Sequence, residues 1–451
     1  MKRTIYLMVF AMGLLIAGSS VMLTGCTKEG PQGLAGKEGT NGTNGTNGTN
    51  GANGKDGTAG CITCHSPASI EAIAVQYEHA KHAFGLAAFD EAGRQDCAPC
   101  HESEGFKFIV ANNTPSTFTL NTTTGRYVNG YTVSDLSKTI GDINCSTCHS
   151  KIHATYTAAD LPALTTVAPI AMTMWGGTKT IDLVADGHIS NLCARCHQPR
   201  PVTKSTDGNV LDYAALVTSP TAVFYDAAQA VNLVKPSYRT GIHYGASGAI
   251  YAGKGGVEFT GAAYTNSPHT AVAACQNCHM AAMNGSAGGH TFIAKGNFAG
   301  CNVVGCHSAL DANSSKFKDT RANVKTKLNN LAAKLKIGGV EIMSRNPDAA
   351  SNLWAGLTTN NYDGYLNLYD PNSNPLGIAN NPGGTFQNPS ASSSWTQAQK
   401  DINTALPKLT LTNAQMGAII NFQLCLRDNS LGIHNTAYTN ALLDNSIAIL
   451  P

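Results

Sequence analysis

Cys61-Ile62-Thr63-Cys64-His65 is the stretch that organises the chain, because its pattern returns four more times. The copies are Cys97, Cys100 and His101; Cys145, Cys148 and His149; Cys193, Cys196 and His197; and Cys275, Cys278 and His279. Two cysteines three positions apart, followed at once by histidine, form the attachment signature of c-type haem. The thiols form thioethers to the haem vinyl groups and the imidazole reaches the iron. Cys301, Cys306 and His307 make a looser sixth copy, with four residues between the cysteines in place of two. The closing Cys-His step is kept, so it counts as a sixth site.

The cysteine count supports this reading. Of 14 cysteines the six motifs take 12, leaving Cys26 and Cys425. Structural zinc and disulfides are the competing uses of a Cys-x-x-Cys pair. Nothing in zinc chemistry asks for histidine directly after the second cysteine every time. The expected cofactor is therefore haem c, six copies, covalently attached. The expected fold class is a multihaem cytochrome c, mainly α with extensive irregular loops packed around six haems.

The chain opens with the basic Met1-Lys2-Arg3 and an apolar run from Ile5 to Gly18, too short for a comfortable membrane span and suited to an export signal. The run ends in Leu23-Thr24-Gly25-Cys26, which looks like a bacterial lipobox. On that reading residues 1–25 are a signal peptide and Cys26 becomes the lipidated first residue of the mature protein, held at the membrane by two or more acyl chains. A plain secretory signal is the alternative.

From Gly30 to Gly60 glycine recurs at every third position, a collagen-like period. After Pro31 it lacks the proline that stiffens such strands, and it has no sizeable apolar residue beyond Leu34. Two readings stand: a flexible polar tether, or a collagen-like helix that would require a trimer. Residues 26–60 are a spacer in both cases, with a reach of about 90 Å if extended.

The remaining chain divides into a hexahaem region, 61–315, and a helical C-terminal module, 316–451, packed on it. A helix over 68–84 offers His79 or His82 to an iron. The Thr- and Asn-rich stretch from Phe106 to Tyr131 reads as a surface hairpin or loop. His153 follows His149 by four residues, a spacing that on one helix would serve two adjacent irons. His188, His243, His269, His290 and His434 complete eight candidates for six distal positions. The glycine-rich stretch 245–261 is not expected to form a regular helix; it lets backbone pass over a porphyrin, or it is a loop. Helices are expected over 322–335, 396–406, 412–426 and 436–450, with Thr412 as a cap. Cys425 reads as a buried small hydrophobe, with a disulfide to a partner as the alternative.

Three further phrases carry a resemblance. Tyr264-Thr265-Asn266-Ser267-Pro268-His269 leads to Cys275-Gln276-Asn277-Cys278-His279-Met280 and is similar to segments of pentahaem nitrite reductases and their relatives. Gly288-Gly289-His290-Thr291-Phe292 resembles a distal-ligand segment of such families, and Arg427 to Asn435, with His434, resembles their C-terminal segment. With the lipobox and the six motifs, the chain resembles the multihaem c-type cytochrome lipoproteins of metal-reducing and anaerobically respiring bacteria.

The resemblance implies one of two functions. The first is electron transfer across the periplasm or outer surface, toward redox partner proteins or extracellular acceptors. The second is reduction of small nitrogen or sulfur compounds at a haem with an open position. Departures from the enzyme pattern favour the first: each of the six motifs ends in histidine where nitrite reductases attach their catalytic haem through a motif ending in lysine. Tyr244, Tyr251 and Tyr264 are not placed by any motif for the crosslink of hydroxylamine-oxidising relatives, and Tyr238, Arg239 and His243 form the only compact cluster of the distal type. Formal charge is +2 for the whole chain, and loss of Lys2 and Arg3 with the signal brings it to neutrality. The haem propionates would then make the protein acidic, which excludes nucleic acid as a partner. Thr27, after the lipidated cysteine, gives no inner-membrane retention signal, so the expected location is the cell envelope, on the outer membrane.

Overall fold

The computed structural model describes residues 65, 70–84, 97–113, 119–121, 126–128, 131, 142–175, 177–200, 211–226, 231–232, 236–237, 240–345, 362–371, 384–389, 391 and 393–451. The signal, Cys26, the glycine-repeat spacer, Cys61 and Cys64, and Tyr238 and Arg239 lie outside them. Residues 56–451 belong to one compact unit.

Its centre is the helix Asn413–Arg427, whose fourteen buried residues surround it on every side. Thr412 caps it: the Thr412 hydroxyl accepts from the Gln415 amide while the Gln415 side chain accepts from the Thr412 amide. The helices Ser315–Lys334 and Thr436–Ile449 pack beside it, and Val324, Leu328 and Leu331 of the first form its buried stripe. One continuous apolar core runs from Ile170 through Phe259 to Leu450, so the C-terminal helices and the middle of the chain share their interior. A three-stranded sheet makes the same join. Thr410–Thr412 pairs antiparallel with Val223–Asp226, Leu411 opposite Tyr225, and Val223–Asp226 pairs with Val231–Asn232.

Polar side chains of the central helix hold the irregular segments around it. Asn421 accepts from the Val257 amide at 2.8 Å and donates to the Val257 carbonyl at 2.7 Å and to Ser446 Oγ at 2.9 Å. Gln423 accepts from the Ile242 amide at 3.0 Å and donates to the carbonyls of Thr240 and Gly364. A Cβ at Gly241, where φ is +140°, would lie 1.6 Å from Gln423 Oε1, so this approach requires glycine.

Several expected elements differ in detail. The helix over 68–84 is two helices, Ile70–Glu78 and Lys81–Phe84, broken at His79 and the buried Ala80. The stretch from Phe106 begins as the end of a helix, Ser103–Asn112, that stops on a left-handed Asn113 before the Thr119–Asn121/Arg126–Val128 hairpin. The glycine-rich 245–261 contains a short buried helix, Ser247–Tyr251. A Cβ on Gly248 would meet the His197 carbonyl at 2.7 Å and the Ala194 side chain at 2.8 Å, so glycine serves close packing of two short helices there. The C-terminal module carries strands as well, including Met343–Arg345 paired with Tyr362–Leu366. Among the described residues no helix is long and apolar enough to cross a membrane.

Asn421→Leu removes the partner of both backbone groups of Val257 inside the core. It should lower stability by about 3 kcal/mol, read as a lower denaturant midpoint at unchanged slope. An unchanged midpoint would contradict the anchoring role.

Candidate functional site: paired histidines

Four of the motifs start a helical turn at or just around their first cysteine: Ala98–His101, Cys145–Cys148, Asn191–Cys196 and Cys275–His279. Cysteines three apart then share one side of the turn, with histidine at its end. Asn144 builds the second of these turns by accepting from the Ser146 amide while Thr147 Oγ1 accepts from the Asn144 amide. The looser sixth motif closes on itself instead, with the His307 amide donating to the Cys301 carbonyl at 3.1 Å.

Among the described residues no two cysteines are joined by a disulfide. Thiols of different motifs meet in hydrogen-bonding contact: Cys100 with Cys196, Cys193 with Cys275, and Cys278 with Cys301. Cys148 is near enough to Cys193 and Cys196 to act on them electrostatically. The 97, 145, 193, 275 and 301 motifs therefore form one connected group.

The histidines fall into pairs, each joining a motif histidine to one from elsewhere in the chain. Ring centroids are 5.9 Å apart for His65 and His153, 6.1 Å for His197 and His82, and 6.2 Å for His101 and His243. They are 6.1 Å apart for His307 and His269 and for His279 and His434. His149 and His290 are the candidates left for a sixth pair, since His149 acts electrostatically on His290 and helps to lower its pKa. An imidazole nitrogen bonds a transition metal at about 2 Å, so two imidazoles on opposite sides of one metal have ring centres roughly 6.2 Å apart. The five measured separations fit that arrangement. Two axial imidazoles leave four positions in the plane between them, which is what a porphyrin fills.

The ring planes sort into two kinds. The 65/153 and 279/434 pairs lie 25° and 30° from parallel, whereas the 197/82, 101/243 and 307/269 pairs cross at 83°, 74° and 78°. For five of these imidazoles burial favours the neutral form that binds a metal. It pushes His197 down to about 4, aided by His82 and His279, and lowers His82, His149, His279 and His290. Burial also opposes charge on His434, but the Asp428 carboxylate outweighs it and raises that pKa.

Hydrogen bonds to the second ring nitrogen orient several of these rings. His279 Nδ1 donates to the Phe292 carbonyl at 2.9 Å, His269 Nδ1 to the Ile433 carbonyl at 3.2 Å and His434 Nδ1 to Asp428 Oδ1 at 2.6 Å. His149 Nδ1 is buried with no close hydrogen bond among the described residues, although the Leu161 backbone is near enough to offset part of the effect of burial on the ring. Asn435 places two ligand segments at once: its side chain accepts from the Ser267 amide at 2.9 Å, two residues before His269, and caps the helix that follows His434.

Two of the eight distal candidates stay outside the pairs. His79 is exposed just past its helix, while His82, three residues on, meets His197. His188 is half exposed and bonds Asp182 at 2.7 Å. His149 and His153 do not share a helix: the turn ends at Cys148, His153 has φ of +64°, and the two rings serve different partners. Of the tyrosines considered for a crosslink, Tyr251 donates to the His269 and Ala273 carbonyls, Tyr264 to the Phe259 carbonyl and Tyr244 to Tyr365 Oη.

Phe292 and Asp428 have roles that sequence reasoning did not assign. The Phe292 ring meets His82 at 5.1 Å and His290 at 5.8 Å while its carbonyl holds His279, so one residue touches three pairs. Its place in the Gly288–Phe292 phrase was the available signal, as was that of Asp428 in the phrase ending at His434.

No protein-family model matches the chain, and neither a curated protein nor a solved structure matches it.

If iron is held between these pairs, His79→Ala and His188→Ala should leave the low-spin optical spectrum unchanged, whereas His153→Ala and His290→Ala should each convert one haem to high spin. The reverse pattern would contradict the pairing.

Proposed function

We propose that the chain is a six-haem c-type cytochrome that transfers electrons at the cell envelope, tethered through a lipidated Cys26 and the 26–60 spacer. The observation that carries this reading is that five motif histidines each lie about 6 Å from a histidine elsewhere in the chain, with His149 acting on His290 as the remaining couple. When bound, haem supplies reversible one-electron chemistry at its iron. The protein's part is to hold, orient and insulate.

Cysteine pairs and following histidines of the six motifs, Cys61/Cys64/His65 through Cys301/Cys306/His307, are the proposed attachment sites. His153, His243, His290, His82, His434 and His269 are the proposed distal ligands for the haems on His65, His101, His149, His197, His279 and His307. Haems held by an imidazole on each side would leave no iron position for nitrite, hydroxylamine or sulfite. This supports the carrier over the reductase reading.

The contacts between motifs support exchange within the chain. His197 responds to the charges of His82, His279 and His434, which gathers two ligand pairs into one neighbourhood. Phe292 packs against both His82 and His290. The proposed partners are redox proteins or extracellular acceptors, and the proposed location is the outer membrane, both on the sequence features given above.

Reductive titration of the purified, oxidised protein tests the reading. It should take up six electrons per chain without any spectral response to added nitrite, hydroxylamine or sulfite. A haem that binds one of these, with turnover, would overturn the carrier assignment in favour of a reductase.

A further inference from the structure

Among the ligand histidines with a described bond at the second nitrogen, His434 stands apart. His279 and His269 donate to backbone carbonyls, whereas His434 Nδ1 donates to a carboxylate oxygen, Asp428 Oδ1, at 2.6 Å. The Asp428 side chain is only 1% exposed, so water screens this contact little.

The carboxylate is itself held in place. Ser430 donates to Asp428 Oδ2 from its hydroxyl, and from its amide at 3.3 Å. Ser430 Oγ in turn accepts from the His434 amide at 3.1 Å, closing a ring of Asp428, Ser430 and His434. Arg427, the preceding residue, directs its guanidinium to the Gly364 carbonyl at 3.0 Å and over the Tyr244 ring. Across the gap stands His279, 6.1 Å away and within 30° of parallel. Cys275 and His197 are the other titratable groups that act on His434 or respond to it.

A carboxylate accepting the Nδ1 proton makes an imidazole a stronger donor at Nε2. A stronger donor favours the ferric over the ferrous state, because the oxidised iron carries the extra positive charge. A backbone carbonyl does the same more weakly, since it bears no net charge.

We infer that Asp428 is a positioning residue that holds down the reduction potential of the haem bound by His279 and His434. The inference rests on the six-haem reading above. The described side-chain partners of Asp428 are Ser430 and His434, so its proposed effect runs through His434. The proton stays on Nδ1, and no other group need change protonation.

The test is spectroelectrochemical titration of the full-length holoprotein, wild type and Asp428→Asn, after covalent haem is counted in each by intact mass. Asparagine keeps an oxygen facing Nδ1 and removes the charge. Six haems are expected in both proteins. One potential should rise in the variant by at least a tenfold change in equilibrium constant, about 59 mV for one electron. The other five should move less, and the component that moves should carry the electron paramagnetic resonance (EPR) signature of near-parallel imidazole planes. Ser430→Ala removes a donor that competes for the carboxylate and should shift the same potential downward. Opposite signs in the two variants are not expected of simple loosening of the loop, and if Asp428→Asn loses a haem the Ser430→Ala titration decides. Six haems with no potential rising tenfold, or both variants moving the same way, would overturn the inference and leave the six-haem reading standing. Fewer than six haems in the wild type would overturn the six-haem reading itself.

Discussion

Two imidazoles from separate parts of the chain, held opposite one another with ring centres about 6 Å apart, form the constraint on which the rest of this structure depends. A gap that wide is too long for a hydrogen bond and too short for a layer of side chains. It has to be kept open by what stands behind each ring. The helix Asn413–Arg427 does much of this: Gln423 fixes the segment leading to His243, and the loop carrying His434 leaves from the helix end. Asn435 then ties His269 to the same place. Three distal candidates are thus referred to one buried helix, which explains why a C-terminal module without a single haem motif is built into the core.

Among the described residues the second layer is uneven. Carbonyls orient His279 and His269, a carboxylate orients His434, and the buried His149 Nδ1 has no close hydrogen bond among the described residues. Unequal support of chemically identical ligands is a direct way to give identical cofactors different potentials. Phe292 adds geometry to this chemistry, since its left-handed backbone turns its carbonyl to one ring while its side chain meets two others. On the proposed reading, a change there would disturb three haems together.

Some of this was legible in the sequence. The Cys-His motifs are local, and the C-terminal helices announce themselves through Thr396 with Gln399 and Thr412 with Gln415, pairs whose capping requires only neighbouring residues. The distal candidates are a different matter. His79 and His82 were equivalent as letters; the break at Ala80 and the position of His197 in space separate them. The four-residue step from His149 to His153 suggested a helix face, and a positive φ undid it. Glycines of 245–261 suggested an open loop, although Gly248 is there because two short helices approach too closely for a side chain. For His82 and Gly248 the deciding contact is made by residues far away in the chain, where periodicity carries no information.

A carrier reading stands or falls on whether all the irons are closed. The most direct measurement is low-temperature EPR of the fully oxidised mature protein, with its spins integrated against covalently bound haem. The account predicts six low-spin haems. They should divide between the rhombic signals of near-parallel imidazole planes and the strongly anisotropic signals of crossed planes. A high-spin signal integrating to one haem per chain would mean that one histidine pair does not close on its iron, and would contradict the account.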